Sequence, residues 1–149
     1  MKIITKNKRA FFDYEILEKF EAGIVLTGPE VKSVKAGHIS LKGSYVTVHE
    51  GELLLLNCHI SPYKFAQNQL KDYNPTASRK LLVHKKEINY LIGKLKTKGL
   101  TLLPLSVYLK RNKIKLEIGL GRGKKKFEKR EKIKKREAER EIKRALKNH

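Results

Sequence analysis

Disulfides are the first thing this sequence cannot build, because its 149 residues contain one cysteine, Cys58. A lone thiol excludes a cross-linked secreted scaffold and makes a reducing, cytoplasmic setting the expectation. Long apolar runs are missing too. None approaches the roughly 18 residues needed to cross a bilayer. The start, Met1-Lys-Ile-Ile-Thr-Lys-Asn-Lys-Arg9, lacks the apolar stretch of a secretory signal. Acidic residues are scarce: 15 Asp and Glu stand against 35 Lys and Arg, a formal charge of +20. What is present, 40% apolar residues in a chain of this length, suits one modest core with an appendage and not a multidomain enzyme.

A surplus of twenty positive charges repels itself in a compact state, so an anionic partner is expected: nucleic acid, an anionic membrane surface or an acidic protein. Its distribution is uneven. Residues 1–120 hold 21 Lys/Arg and 10 Asp/Glu, whereas residues 121–149 hold 14 Lys/Arg and 5 Glu. The chain therefore divides into a basic body, 1–120, and a more basic tail, 121–149.

The body reads as a small, mainly β domain. Tyr14–Phe20 and Ala22–Thr27 have strand composition, and Glu30–Ala36 fits a short helix between Pro29 and Gly37. Ser44–His49 and Glu52–Asn57 flank Glu50-Gly51 as a hairpin. Ser61–Arg79 is a long loop, marked by Pro62, Asn68, Asn74 and Pro75. Lys80–Val83 is a short strand, and Ile88, Leu91, Ile92 and Leu95 form one helical face that ends before Gly99. Leu100–Leu109 is strand-like, with Pro104 requiring an edge or a bulge. After Arg111-Asn112, residues 113–118 alternate, with Ile114, Leu116 and Ile118 inward and Lys113, Lys115 and Glu117 outward. Gly119, Gly121 and Gly123 are expected to end that strand in a hinge. Five or six strands and one good helix fit a small closed or partly open barrel, for which an oligonucleotide-binding β-barrel is the basic candidate and a split βαβ sheet the alternative.

The tail is rich in helix formers but cannot fold alone. Its Glu→Lys pairs (Glu128/Lys132, Glu131/Lys135, Glu139/Lys143) contribute together about 1 kcal/mol, against about 1–2 kcal/mol of backbone entropy per ordered residue. The expectation is an arm disordered when free and helical once phosphates neutralise it. Bond-making chemistry leaves no signature. Gly119-Leu-Gly-Arg-Gly-Lys-Lys125 departs from a phosphate loop: Ile118 replaces the first glycine and Lys125 the magnesium-binding hydroxyl. The histidines are scattered, and Cys58-His59 lacks a second pair at metal spacing. A binder without metal or cofactor is expected, not an enzyme.

Ordered motifs then carry a resemblance. Asn7-Lys-Arg-Ala10, Asp13-Tyr14, Phe20-Glu-Ala-Gly-Ile24, Gly28-Pro-Glu-Val-Lys-Ser33 and Ser44-Tyr45 come first. Arg79-Lys-Leu-Leu82, Lys98-Gly-Leu-Thr-Leu-Leu-Pro-Leu105 and Gly123-Lys-Lys-Lys-Phe-Glu-Lys-Arg130 follow. From Asn7 onward the chain resembles the small protein B family, the SsrA-binding proteins of bacteria. That resemblance implies a monomeric barrel that binds the tRNA-like domain of transfer-messenger RNA and delivers it to stalled ribosomes. Elongation factor Tu joins through the RNA. The tail would enter the decoding centre and the empty mRNA channel and meet rRNA there.

By the same resemblance, Glu21 and Gly23 of the Glu-Ala-Gly motif, together with Leu82, Lys115, Asn7, Tyr14 and Arg122, are RNA-binding positions. Glu21 would accept from a base edge or a ribose hydroxyl, or else form a surface ion pair. Leu82 and Tyr14 are equally explained as core. Only Lys115 is also turned outward by strand alternation. In the tail, Gly123, Lys124, Lys125, Glu128, Lys129 and Arg130 are ribosome-binding positions, with Glu128 where relatives usually carry Asp. Ile142 and Leu146 share a helical face there, and Ala138 stands where relatives often have an aromatic. A structural ribosomal protein that binds rRNA through a similar barrel is the rival reading.

Overall fold

A computed structural model describes residues 1–65, 72–124, 136–140 and 142. The elements are β1 (Lys2–Lys6), α1 (Lys8–Asp13), β2 (Tyr14–Ile24), α2 (Gly28–Lys35), β3 (Ile39–Ser40) and β4 (Tyr45–His49). Then come β5 (Glu52–Leu56), β6 (His59–Ile60), β7 (Arg79–Leu82), α3 (Lys85–Leu95), β8 (Leu100–Lys110) and β9 (Lys113–Gly123). Seven strands form one antiparallel sheet in the order β1-β8-β9-β2-β7-β5-β4, while β3 pairs with β6. The sheet curls until β4 contacts β8. It encloses an aliphatic core that includes Leu53, Leu55, Leu81, Leu91, Leu116 and Ile118, all nearly or fully buried. This is the mainly β, oligonucleotide-binding-type barrel with flanking helices. None of the described helices is long and apolar enough to cross a membrane.

Turn chemistry sets the registers. Glu50-Gly51 and Arg111-Asn112 are two-residue hairpin loops with positive φ at both positions, the twist that suits flanking antiparallel strands. Pro104 sits at a bulge in β8, where the register shifts before Ser106. Thr27 and Glu30 form a reciprocal capping box that starts α2 at Gly28.

Two sequence expectations are corrected. The strands anticipated at Tyr14–Phe20 and Ala22–Thr27 are one strand, β2. Its bulge between Ile16 and Glu18 lets it follow β9 from Tyr14↔Gly123 to Gly23↔Lys115. The glycine run anticipated as a hinge is the last stretch of β9, so the sheet continues past residue 120 to Gly123. Close packing explains Gly119 and Gly121. A Cβ on Gly119 would lie 2.7 Å from Leu105 Cδ1, and one on Gly121 would lie 2.9 Å from Leu103 Cδ1. These leucines and Ala10 of α1 make a second small core on the outer face of the sheet. In the tail, residues 136–140 are helical.

A buried ion pair ties the long connection between β6 and β7 to the barrel. Arg79 donates through Nε and Nη2 to Glu30 Oε2, at 2.9 and 2.6 Å. It also donates to the carbonyls of Cys58 (2.6 Å) and Pro75 (2.9 Å) and to the Tyr73 hydroxyl (3.2 Å). Burial pushes the Glu30 carboxyl up, but hydrogen bonds from the Thr27 amide, Arg79 and Tyr73 outweigh it and leave the group below its ordinary 4.5. A depressed carboxyl stabilises the fold fully above its unfolded value and loses that contribution as pH falls through the folded one. Arg79→Met should therefore destabilise by about 3–5 kcal/mol in urea melts at pH 7, by stranding Glu30. Glu30→Gln should flatten the loss of stability that the natural chain shows below about pH 4.5.

Candidate nucleic-acid interface

Strand alternation places the outward residues of β2, β7, β8 and β9 around one open groove of about 630 Å³. Glu21, Gly23, Leu82 and Lys115, four of the seven positions anticipated to bind RNA, line it together. Lys115 lies beside Gly23 on β2 and Tyr108 on β8. Gly23 pairs with Leu82 on the groove floor, where an added Cβ would make an ordinary contact with Leu82 Cβ at 3.5 Å. Leu82 is 53% exposed while Leu81 is buried, so Leu82 belongs to the surface and Leu81 to the core. Half-buried Lys115 fits the outward placement read from the alternation.

Glu21 faces Glu117 across the β2–β9 pair, an unfavourable like-charge contact. Cations on both sides relieve it: Lys110 Nζ lies 3.2 Å from Glu21 Oε2, and Lys19 Nζ lies 3.8 Å from Glu117. Hydrogen bonding from Lys110 outweighs desolvation and, with the nearby charges, holds the Glu21 carboxyl below its ordinary value. The neighbouring Tyr108 phenol is pushed up to about 12 by burial and then by the Glu21 charge. Among the described residues, Arg111, Lys113 and Lys115 on the same rim make no ion pair. The groove thus offers a carboxylate held by Lys110, an apolar ledge and a row of unpaired cations.

The remaining anticipated residues lie elsewhere. Asn7 caps α1 by accepting from the Ala10 amide, and its Nδ2 donates to the Pro104 carbonyl at the β8 bulge (2.8 Å). Tyr14 packs in the small core under α1, the packing alternative for that residue. Arg122 is exposed opposite Glu15 near the far end of β9. Lys124 follows the last strand residue, Gly123; its amide donates to the Asp13 carbonyl and its Nζ to the Phe11 carbonyl, at the end of α1. Ile142 is helical and exposed. Lys125, Glu128, Lys129, Arg130 and Leu146 lie outside the described residues. Lys110, Arg111 and Tyr108 are additions, and the period-2 reading of β8 would have turned Tyr108 and Lys110 outward had the Pro104 bulge not hidden its phase.

A family model described as SmpB protein matches residues 4–148. The chain belongs to the SmpB family. The SsrA-binding protein of Trichormus variabilis is 52% identical over 148 residues, 99% of this chain and 95% of that one. Its counterpart from a Sulfurihydrogenibium species is 54% identical over 146 residues, covering 98% and 95%. A solved structure presented as "tmRNA-SmpB: a journey to the center of the bacterial ribosome" superposes with a TM-score of 0.66 at 47% identity, covering 82% of this chain and 85% of that one. The SmpB resemblance carried by the ordered motifs is thus family membership.

The groove's electrostatics are open to titration. Lys110→Met should raise the Glu21 carboxyl toward 4.5, followed by carboxyl-carbon NMR. Glu21→Gln should lower the Tyr108 phenol from about 12, followed by ring-carbon NMR.

Proposed function

We propose that this chain binds the tRNA-like domain of transfer-messenger RNA through the groove and delivers that RNA to stalled ribosomes for trans-translation. The convergence of Glu21, Gly23, Leu82 and Lys115 on one groove carries the reading. Lys115 and its unpaired neighbours neutralise phosphates, Leu82 supplies a surface for a base or sugar, and Glu21 accepts from a base edge or a 2′-hydroxyl. A carboxylate accepts only, so it selects donor groups that bulk phosphate lacks. Being an acid among cations, it trades general affinity for discrimination.

Body and tail divide the work between 1–120 and 121–149, with the body's last strand extending to Gly123. The tail, with Lys124, Lys125, Glu128, Lys129 and Arg130 near its root, enters the decoding centre and the vacant mRNA channel, where rRNA phosphates order it as a helix. Ile142 and Leu146 give that helix its apolar face. The chain acts as a cytoplasmic monomer without bond chemistry, metal or cofactor, and meets elongation factor Tu through the shared RNA.

Three measurements test this reading. Lys115→Ala should weaken binding of the tRNA-like RNA and reduce the slope of log K against log salt by about one phosphate unit; an unchanged slope removes Lys115 from the interface. A chain ending at Lys124 should still prefer transfer-messenger RNA over bulk tRNA and rRNA fragments in gel shifts, yet fail to rescue stalled ribosomes in a translation assay. Retention of the natural chain on ribosomes through high-salt washing would instead favour a structural ribosomal protein.

A further inference from the structure

The groove does not end at Leu82. Adjoining it is a second hollow of about 420 Å³, which shares Gly23, Leu82, Lys113 and Lys115 with the first. Its wall differs in character. Leu26, Val31 and Ile114, each half-buried, give it an apolar lining where the first hollow presents Glu21 and Lys110. At its mouth stands Asn112, the second residue of the β8–β9 hairpin turn, with φ of 64°. The Asn112 side-chain oxygen accepts from Lys35 Nζ at 3.1 Å. A lysine can only donate, so this contact fixes the amide orientation and leaves the Asn112 NH₂ with no protein partner among the described residues.

Resting on the RNA-binding reading of the groove, we propose that this second hollow is a base-binding subsite for an unpaired nucleotide adjacent to the one at Glu21. Leu26, Val31 and Ile114 receive the flat face of the base, and the Asn112 amide donates to an acceptor on its edge. Leu82 stands between the two subsites as a divider, and Lys115, common to both hollows, meets the phosphate that links the two nucleotides. Charge and continuity select the occupant. Lys113 and Lys115 line both hollows, so a strand leaving Glu21 past these cations would reach the second one. The subsites read opposite groups: Glu21 requires a donor and Asn112 an acceptor. Together they specify a dinucleotide step with a fixed order of base edges.

Asn112→Gly removes the amide but keeps the turn, because glycine adopts positive φ without strain. Val31→Asn makes the wall polar without adding charge. Both are compared with the natural chain and Lys115→Ala in binding the tRNA-like fragment of transfer-messenger RNA over a range of salt, after thermal melts establish that each folds. Asn112→Gly and Val31→Asn should each weaken binding roughly tenfold with an unchanged salt slope, as expected for base contacts that neutralise no phosphate. Replacing each unpaired nucleotide of the fragment in turn by an abasic one should reveal a single position at which loss of the base weakens the natural chain but adds little to Asn112→Gly. Natural affinity in both variants, alongside weakened binding by Lys115→Ala, overturns the subsite and leaves the groove reading intact. A reduced salt slope in the variants also overturns it, because the hollow would then act on phosphate. If Lys115→Ala keeps the natural slope as well, the groove reading falls with it.

Discussion

Burying the Arg79 guanidinium costs several kcal/mol of hydration, and the fold offsets that cost only by bringing four groups to one point. They are the Glu30 carboxylate at the start of α2, the Cys58 carbonyl beside β6, and the Tyr73 hydroxyl and Pro75 carbonyl in the connection that precedes β7. Each segment approaches Arg79 from a different part of the chain. Once Arg79 is pinned inward, alternation settles the rest of β7: Leu81 enters the core, while Lys80 and Leu82 turn out. The apolar ledge of the groove is therefore a consequence of a charge pair buried elsewhere. Cys58 belongs to the same arrangement. Burial pushes its thiol up to about 11, so at neutral pH it is packing material and its carbonyl is the useful group.

The groove itself is a compromise between attraction and selectivity. A surface made only of lysines would hold any polyanion, with an affinity governed by salt. Setting Glu21 among cations lowers that general attraction, and Lys110 keeps the acid ionised and in place. On the RNA-binding reading proposed above, discrimination would come from what a carboxylate refuses, namely a phosphate, and from what it accepts, an N–H or O–H. The directly opposed Glu117 sharpens the point. It raises the cost of leaving either carboxylate without a cation, and Lys19 and Lys110 lie in place to meet it.

Much of the barrel was legible because its signals are local. The Glu50-Gly51 hairpin follows from turn chemistry, α3 from its apolar stripe, and the outward face of Lys115 from clean alternation. The misreadings share a physical origin: each depends on a contact between residues distant in sequence. Gly119 and Gly121 look like a flexible stop until Leu105 and Leu103 are seen filling the space above them. The bulges in β2 and β8 shift the phase of alternation and hide which side chains face out beyond them. For the site, Leu82 could be assigned to core or surface with equal reason, because a four-residue strand carries too few positions to show which phase is inward. Lys110 and Tyr108 were invisible as partners of Glu21, since that proximity exists only once β9 has paired with both β2 and β8.

Strand β9 joins two places that have no other reason to keep a fixed separation. Lys115 sits in the groove, and Gly123, eight residues later, is where the sheet releases the chain, roughly 26 Å away at the rise of an extended strand. Paired on both sides along its length, β9 is a rigid rod, and Lys124 is clamped at its end to the carbonyls of Phe11 and Asp13. The molecule thereby contains a ruler. Whatever rests at Lys115 therefore lies at a set distance from Lys124. One residue inserted into β9 without a compensating bulge would lengthen the rod by a single step and invert every side chain beyond it.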